Sequence, residues 1–238
     1  MVLFDSKGSL HAGRSDIEAD PRNYRKWELC RSTNPTRYAT EAEALRGADV
    51  LIALSTPGPE TVKREWVRGM ADGAIVFACA NPVPEIWPYA AKEEGAFIVA
   101  TGRGDFPNQV NNSVCFPGLL KGALLARARK VTDGMAIRCA HSIADFSERR
   151  GIAADDIIAT MEETEVFAVE AADVADQAAK EGVARHILSW AEVHDRALAD
   201  IASSRSLVDD LQRLGHVAPP PQELLDEALT WAVAKVRG

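Results

Sequence analysis

Asn81 closes an apolar run, Phe-Ala-Cys-Ala-Asn, and is followed by Pro-x-Pro-Glu; Asn111 and Asn112 stand just ahead of a helix-like segment that begins near Ser113 to Pro117. A side-chain amide donates and accepts hydrogen bonds without carrying charge, so it can grip a carboxylate or hydroxyl while leaving proton transfer to other groups. Free N–H groups and partial positive charge at a helix N-terminus make residues 111 and 112 a natural place to hold a carboxylate. Each amide also has a plainer use. Asn-Pro starts turns, and Asn is a good N-cap, so one of the pair is expected to do that structural job.

Two further stretches carry candidates. Asp5 ends the run Val-Leu-Phe-Asp, and an acidic residue at the end of the second strand of a dinucleotide-binding unit bonds the ribose hydroxyls, with a glycine-rich turn about 20 residues earlier. Only four residues precede Asp5, so if this run is that second strand, the first strand and its turn are not in this chain. The alternative is that Asp5 caps a strand before the turn Ser6-Lys7-Gly8. In Leu-Ser-Thr-Pro-Gly-Pro-Glu, residues 54 to 60, Ser55, Thr56 and Gly58 follow a strand-like run. Ligands of open α/β sheets bind at the carboxyl ends of the strands, although turns use the same small residues.

The elements that must position these residues are short. Val2 to Phe4, Val50 to Leu54, Ile75 to Ala80 and Phe97 to Ala100 are nearly all apolar instead of alternating, which suits parallel strands covered on both faces. Helix-like stretches precede the last three: Glu41 to Leu45, Pro59 to Met70 and Ile86 to Glu94. This alternation indicates a doubly wound α/β sheet.

Beyond residue 112 helices take over. Phe116, Leu119, Leu120, Ala123 and Leu124 share one helical face, with Arg127, Arg129 and Lys130 expected in the last turns. Ile143 to Arg149, Ala154 to Glu162, Val166 to Lys180 and Leu188 to Leu211 are further candidates. Pro219 to Pro221 then break the chain before a final amphipathic helix with Leu225, Ala228, Leu229, Ala232 and Val236 on its face. The predicted division is an α/β domain over 1–185 and a helical extension over 186–238.

Bulk properties narrow the function. A length of 238 residues at 47% hydrophobic content provides ample core. With 27 basic against 35 acidic side chains, net −8, and no basic run, nucleic acid and anionic membranes are excluded as main partners. Cys30, Cys79, Cys115 and Cys139 lack Cys-x-x-Cys spacing and read as free thiols in a reducing cytosol. No basic start leads into an apolar stretch and no segment nears eighteen apolar residues, so neither secretion nor a membrane span is expected. Arg103-Gly104-Asp105 spells an adhesion tripeptide and Asn111-Asn112-Ser113 a glycosylation sequon, but both need export.

Taken together, Asp5 to Arg14, Gly47 to Gly58, Ile75 to Ile86 and the run Gly95 to Leu124 resemble, in order and spacing, the cofactor-binding domain of malic enzymes, from about residue 2 to about 180. The resemblance implies a Rossmann-like domain, here lacking its first strand. It further implies oxidative decarboxylation of malate to pyruvate, NAD or NADP as cofactor, and Mg²⁺ or Mn²⁺ in the complete enzyme. By position, Asn81 and Asn112 match asparagines that hydrogen-bond malate or pyruvate, Asp5 the ribose-binding acid, and Ser55, Gly58 and Gly102 loops bordering the dinucleotide. Asp5 favours NAD, since a carboxylate repels a 2′-phosphate, while Lys7 and Arg14 offset that charge.

The family's Tyr proton donor, Lys general base and acidic metal ligands have no counterpart in these residues, so no catalytic or metal-ligating residue is assigned. Oxidation at C2 needs a base, and decarboxylation needs a metal or acid to stabilise the enolate; asparagines supply neither. His141, Lys121 and Tyr89 have suitable groups but read as a helix face and ordinary surface. The expectation is therefore a piece of a cytoplasmic, homo-oligomeric malic enzyme that works with an N-terminal catalytic domain or chain. The alternatives are a non-catalytic protein-binding or assembly module, and a Rossmann-like enzyme using another nucleoside cofactor.

Overall fold

The computed structural model describes residues 1–237; Gly238 and the side chains of Val236 and Arg237 lie outside the described residues, and with them the expected place of Val236 on the last helical face. The chain divides into two compact units, Met1–Phe116 with Ala140–Glu163, and Pro117–Cys139 with the residues from Thr164 onward.

The first unit opens with a hairpin. Strands β1 (Phe4–Asp5) and β2 (Gly8–Ser9) pair antiparallel, Phe4 opposite Ser9 and Asp5 opposite Gly8. This differs from the expectation that the first apolar run is a parallel strand: the chain reverses at Ser6-Lys7, and Gly8 at φ +115° takes a conformation that side chains resist. Helices α1 (Ser15–Glu18) and α2 (Tyr24–Ser32) follow, and Leu10, Ile17 and Cys30 form a small core with Leu3 and Trp27. Thr40 and Glu43 form a capping box at α3 (Glu41–Leu45), which has the predicted bounds.

The main sheet has three parallel strands in the order β3 (Val50–Ala53), β4 (Ile75–Ala78) and β5 (Ile98–Thr101). Parallel neighbours need a crossover between them, here α4 (Arg64–Arg68) and α5 (Pro88–Glu93). Both helices are shorter than the sequence suggests, because Lys63 and Trp87 hold extended backbone at their N-caps. The register sets Ala53 opposite Ala78 and Ala78 opposite Thr101, so all three strands end level. Val62, Val67, Val76, Ile86 and Val99 are the heart of the core. The coverage expected on both faces is not uniform, since Val50 and Ile52 of β3 are 47% and 62% exposed.

Four long helices and a terminal one complete the chain: α6 (Asn112–Leu125), α7 (Asp133–Arg150), α8 (Glu165–Lys180), α9 (Trp190–Arg213) and α10 (Gln222–Arg237). Arg127, Arg129 and Lys130 lie beyond α6 instead of in its last turns, because Arg127 at φ +46° ends the helical path. Residues 154–162, expected as helix, form turns around an Ala153–Asp156 bridge, and buried Asn108 holds them by donating to Ala154 O and accepting from Ile157 N.

In the second unit α8 buries Val166, Phe167, Ala168, Ala171, Ala172, Val174, Ala175 and Ala178. Gly118 and Gly122 of α6 meet it so closely that a Cβ at Gly122 would lie 2.4 Å from the Ala171 carbonyl oxygen. α9 buries only Val193 and Ala197, and every described residue from 212 to 235 is exposed. Among the described residues no helix is long and apolar enough to cross a membrane.

Candidate functional site

Because β3, β4 and β5 end level, the segments that leave them emerge from one edge of the sheet: Ser55 after β3, Ala80 and Asn81 after β4, Gly102 after β5. This is the edge at which open α/β sheets take ligands.

Asn81 is exposed, and the Asn81–Pro82 peptide is cis. A Cβ on Gly102 would come within 3.0 Å of Asn81 Nδ2, so glycine is what lets the amide lie against the β5 exit. Asn111 Nδ2 donates to the Gly102 carbonyl at 2.6 Å, and its Oδ1 accepts from Ser113 N at 3.0 Å. Asn111 thus performs the capping task expected of one member of the pair. Its neighbour Asn112 is the first residue of α6 and is exposed. Asn81, Gly102 and Asn111 are brought together, with Asn112 adjacent in sequence.

The outer wall is built by Arg103. It donates to the Pro82 carbonyl at 2.7 Å, pairs with Asp105, and lies 5.7 Å from the ring centres of both Trp87 and Phe106. The cation fixes the turn after Asn81 to the turn after β5, with the aromatic faces beneath it. Gly58 has φ +144°, and its carbonyl accepts from Thr61 N at 3.0 Å, which closes the loop after Ser55.

Glu85 is the residue that pattern reasoning passed over. It is completely buried, accepts at Oε1 from Ser55 N (2.7 Å) and Ser55 Oγ (3.2 Å), and accepts at Oε2 from Ala80 N (2.9 Å). One available signal was a Glu flanked by Pro84 and Ile86 in an apolar setting, where an ionisable side chain needs bonded partners. Burial pushes the thiol pKa of Cys79 up, and the Glu85 carboxylate adds to the effect. Both effects hold Cys79 toward its protonated thiol form.

Asp5 lies in the β1–β2 hairpin. Its four acceptor positions are taken by Arg14 Nη1 and Nη2 (both 3.1 Å), Lys26 Nζ (2.5 Å) and Lys7 N (2.9 Å). Burial works against ionisation here, yet these bonds hold the carboxyl well below the usual range. Arg14 is gripped in turn by Asp16. A ribose hydroxyl reaching Asp5 would have to share or displace one of these donors.

Of the groups considered as substitutes for a base, Lys121 pairs with Asp200, and Tyr89 is exposed with its ring stacked on Trp87. His141 is exposed on α7. No group of three His, Cys, Asp or Glu suited to a metal ion occurs among the described residues.

A three-stranded parallel sheet whose strands end level, with its crossover helices, is an α/β domain of the Rossmann-like type. The family model described as malic enzyme, NAD binding domain, matches residues 1–179. The chain is 39% identical over 197 residues to the bifunctional malic/malolactic enzyme of Bacillus subtilis (strain 168), covering 82% of this chain and 47% of that protein. It is 38% identical over 187 residues to the NAD-dependent malic enzyme of Geobacillus stearothermophilus, covering 78% and 37%. Among solved structures, Entamoeba histolytica malic enzyme superposes with a TM-score of 0.94 at 60% identity, over 100% of this chain and 49% of that one. The malic enzyme of Pyrococcus horikoshii Ot3 gives 0.79 at 40% identity, over 89% and 48%. The chain belongs to the malic enzyme family, as its NAD-binding domain. It spans less than half the length of these relatives.

Proposed function

We propose that this chain is the NAD(P)-binding part of a malic enzyme that converts malate to pyruvate and CO₂. Asn81 and Asn112 hold the malate or pyruvate end, and Asp5, Ser55, Gly58 and Gly102 border the dinucleotide. The observation that carries the reading is the meeting of Asn81 with Gly102 at the level ends of β4 and β5. That arrangement supports the reading, because it sets an uncharged amide at the carboxyl edge of the sheet, where ligands of open α/β folds bind. NAD or NADP, when bound, accepts the hydride from C2 of malate. Asn81 orients the hydroxyl and carboxylate for that transfer without taking the proton. Arg103, lying over Trp87 and Phe106, ties the turn after Asn81 to the turn after β5 and so steadies the amide.

The general base, the proton donor and the ligands for Mg²⁺ or Mn²⁺ are assigned to a catalytic domain beyond these residues, in line with relatives about twice as long. The assembly is a cytoplasmic homo-oligomer. The choice of dinucleotide turns on the hairpin: the one carboxylate of Asp5 is neutralised by Arg14 and Lys26, which removes its repulsion of a 2′-phosphate and leaves NADP as acceptable as NAD. A protein-binding module is the second reading, favoured by the bare apolar side chains of α9 and α10.

The test is malate-dependent NAD(P)H absorbance with Mn²⁺, using the purified chain with and without the product of the coding region immediately upstream. Turnover on mixing is the expected result. Turnover by the chain alone would overturn the assignment of base and metal ligands, and silence in both would favour a fragment of the enzyme or the binding module.

A further inference from the structure

Glu85 connects two strand exits that the fold leaves apart. Ser55 belongs to the loop after β3 and Ala80 to the segment after β4, thirty and five residues from Glu85 in sequence. The carboxylate is 0% exposed and accepts from a backbone N–H on each side, plus the Ser55 hydroxyl. Its own carbonyl accepts from Val62 N at 3.0 Å, which anchors Glu85 itself. Burying a carboxylate is costly, and its donors must offset that cost. A serine, or a water, would satisfy either N–H alone at lower cost. Only a group with two acceptor oxygens about 2.2 Å apart, set by carboxylate geometry, holds both exits at once.

The two groups so held are the cofactor-side Ser55 and the peptide that leads directly into the substrate-side Asn81. We propose that Glu85 is a positioning residue, which fixes the dinucleotide-bordering loop and Asn81 relative to each other before either ligand arrives. This rests on the reading of the site given above. Glutamine has the same shape but offers one acceptor oxygen and one NH₂ group, so one N–H faces another donor, the costly case of an unmet buried group. Aspartate keeps the charge but is one methylene too short to span both exits.

The experiment compares wild type, Glu85→Gln and Glu85→Asp in the 238-residue chain by amide hydrogen exchange, and in the chain mixed with its catalytic partner by NADH fluorescence titration. In Glu85→Gln, the Ser55 or the Ala80 amide is expected to exchange at least tenfold faster while Ile75–Ala78 stays protected, and NADH affinity is expected to fall about tenfold well below the melting temperature. Glu85→Asp, which retains the charge and serves if the Gln variant does not fold, is expected to fall between. Faster exchange with unchanged NADH affinity would reduce Glu85 to a purely structural cap and overturn the proposal. So would unchanged exchange at both amides, or a wild type that binds no NADH. Wild-type NADH binding without malate turnover would overturn the malic reading instead, and the comparison of variants would still decide the role of Glu85.

Discussion

The exits of β3, β4 and β5 and the helices from α8 onward are specified in different ways. At the sheet edge individual polar bonds fix individual atoms: Glu85 to Ser55 and Ala80, Asn111 to Gly102, Arg103 to Pro82. In the helical region, small and apolar residues repeated at helical spacing do the work, and that specification fades along the chain. α8 is buried along most of its length, α9 only at Val193 and Ala197, and α10 at no described residue. A polar network loses function when one member changes, whereas a periodic face loses stability in proportion to how deeply it is buried.

The largest effect is therefore expected where helical packing is closest. Gly122→Val puts side-chain atoms where a Cβ alone already comes within 2.4 Å of the Ala171 carbonyl oxygen and 2.9 Å of Val174 Cβ. Overpacking against backbone cannot relax through a rotamer change, and a loss of about 3 kcal/mol or more in urea unfolding is expected. An unaffected variant would show that the α6–α8 approach is not the close contact described.

Next comes Glu170 of α8. It is fully buried, receives a weak contact from Cys139 Sγ at 3.7 Å, and its Oε1 has no hydrogen-bond partner. Burial pushes its pKa up to about 8, against smaller opposing effects of Cys139 and the Gly118 N–H. The folded state thus keeps a proton that the unfolded state releases near pH 4.5. Its contribution is complete below about pH 4.5 and is lost as pH rises toward 8, on the order of 4–5 kcal/mol between those limits. Melting at pH 5 and pH 8 should differ by several degrees in wild type, and Glu170→Gln should flatten that difference. A flat wild-type profile would mean that water reaches Glu170.

The hairpin carboxylate has the opposite pH sense. Asp5 is held low by Arg14, Lys26 and Lys7 N, so its contribution is present above about pH 4, the ordinary carboxylate value, and is lost as pH falls through the folded value. Asp5→Ala should cost about 1–3 kcal/mol at pH 7, less than a fully buried pair because Lys26 is partly exposed and Asp16 still holds Arg14. The deficit should narrow at pH 3. A constant deficit would mean that packing, not charge, holds the hairpin.

The same contrast governs what could be read from sequence. The parallel strands were legible because short, nearly all-apolar runs alternated with helix-like stretches, and Asn81 and the pair Asn111-Asn112 stood out as polar residues at element boundaries. Glu85 was not legible as an anchor, because its three donors are backbone or small groups that any sequence has and only the register brings them near. The hairpin at Asp5 was hidden in a run of four residues that suits either strand pairing, and α2 was missed because Tyr24 to Ser32 has a weak apolar stripe. Residues 154–162 looked helical by spacing, but Asn108, 46 residues before Ala154, ties up their backbone instead. Long-range side-chain bonds to backbone leave no periodic trace.

The smallest effect should come from α10, and it tests the exposed end of the comparison. Trp231 is 64% exposed with Lys235 Nζ 4.4 Å from its ring centre, and Leu225 and Leu229 are 46% and 66% exposed. A side chain this exposed stabilises little beyond the helix itself, so Trp231→Ser should change unfolding free energy by about 0.5 kcal/mol or less. That value should not depend on protein concentration, because only a covered face is coupled to association. A loss above about 1 kcal/mol that shrinks on dilution would show α10 to be buried against another copy, and would turn the least specified part of the chain into a specified one.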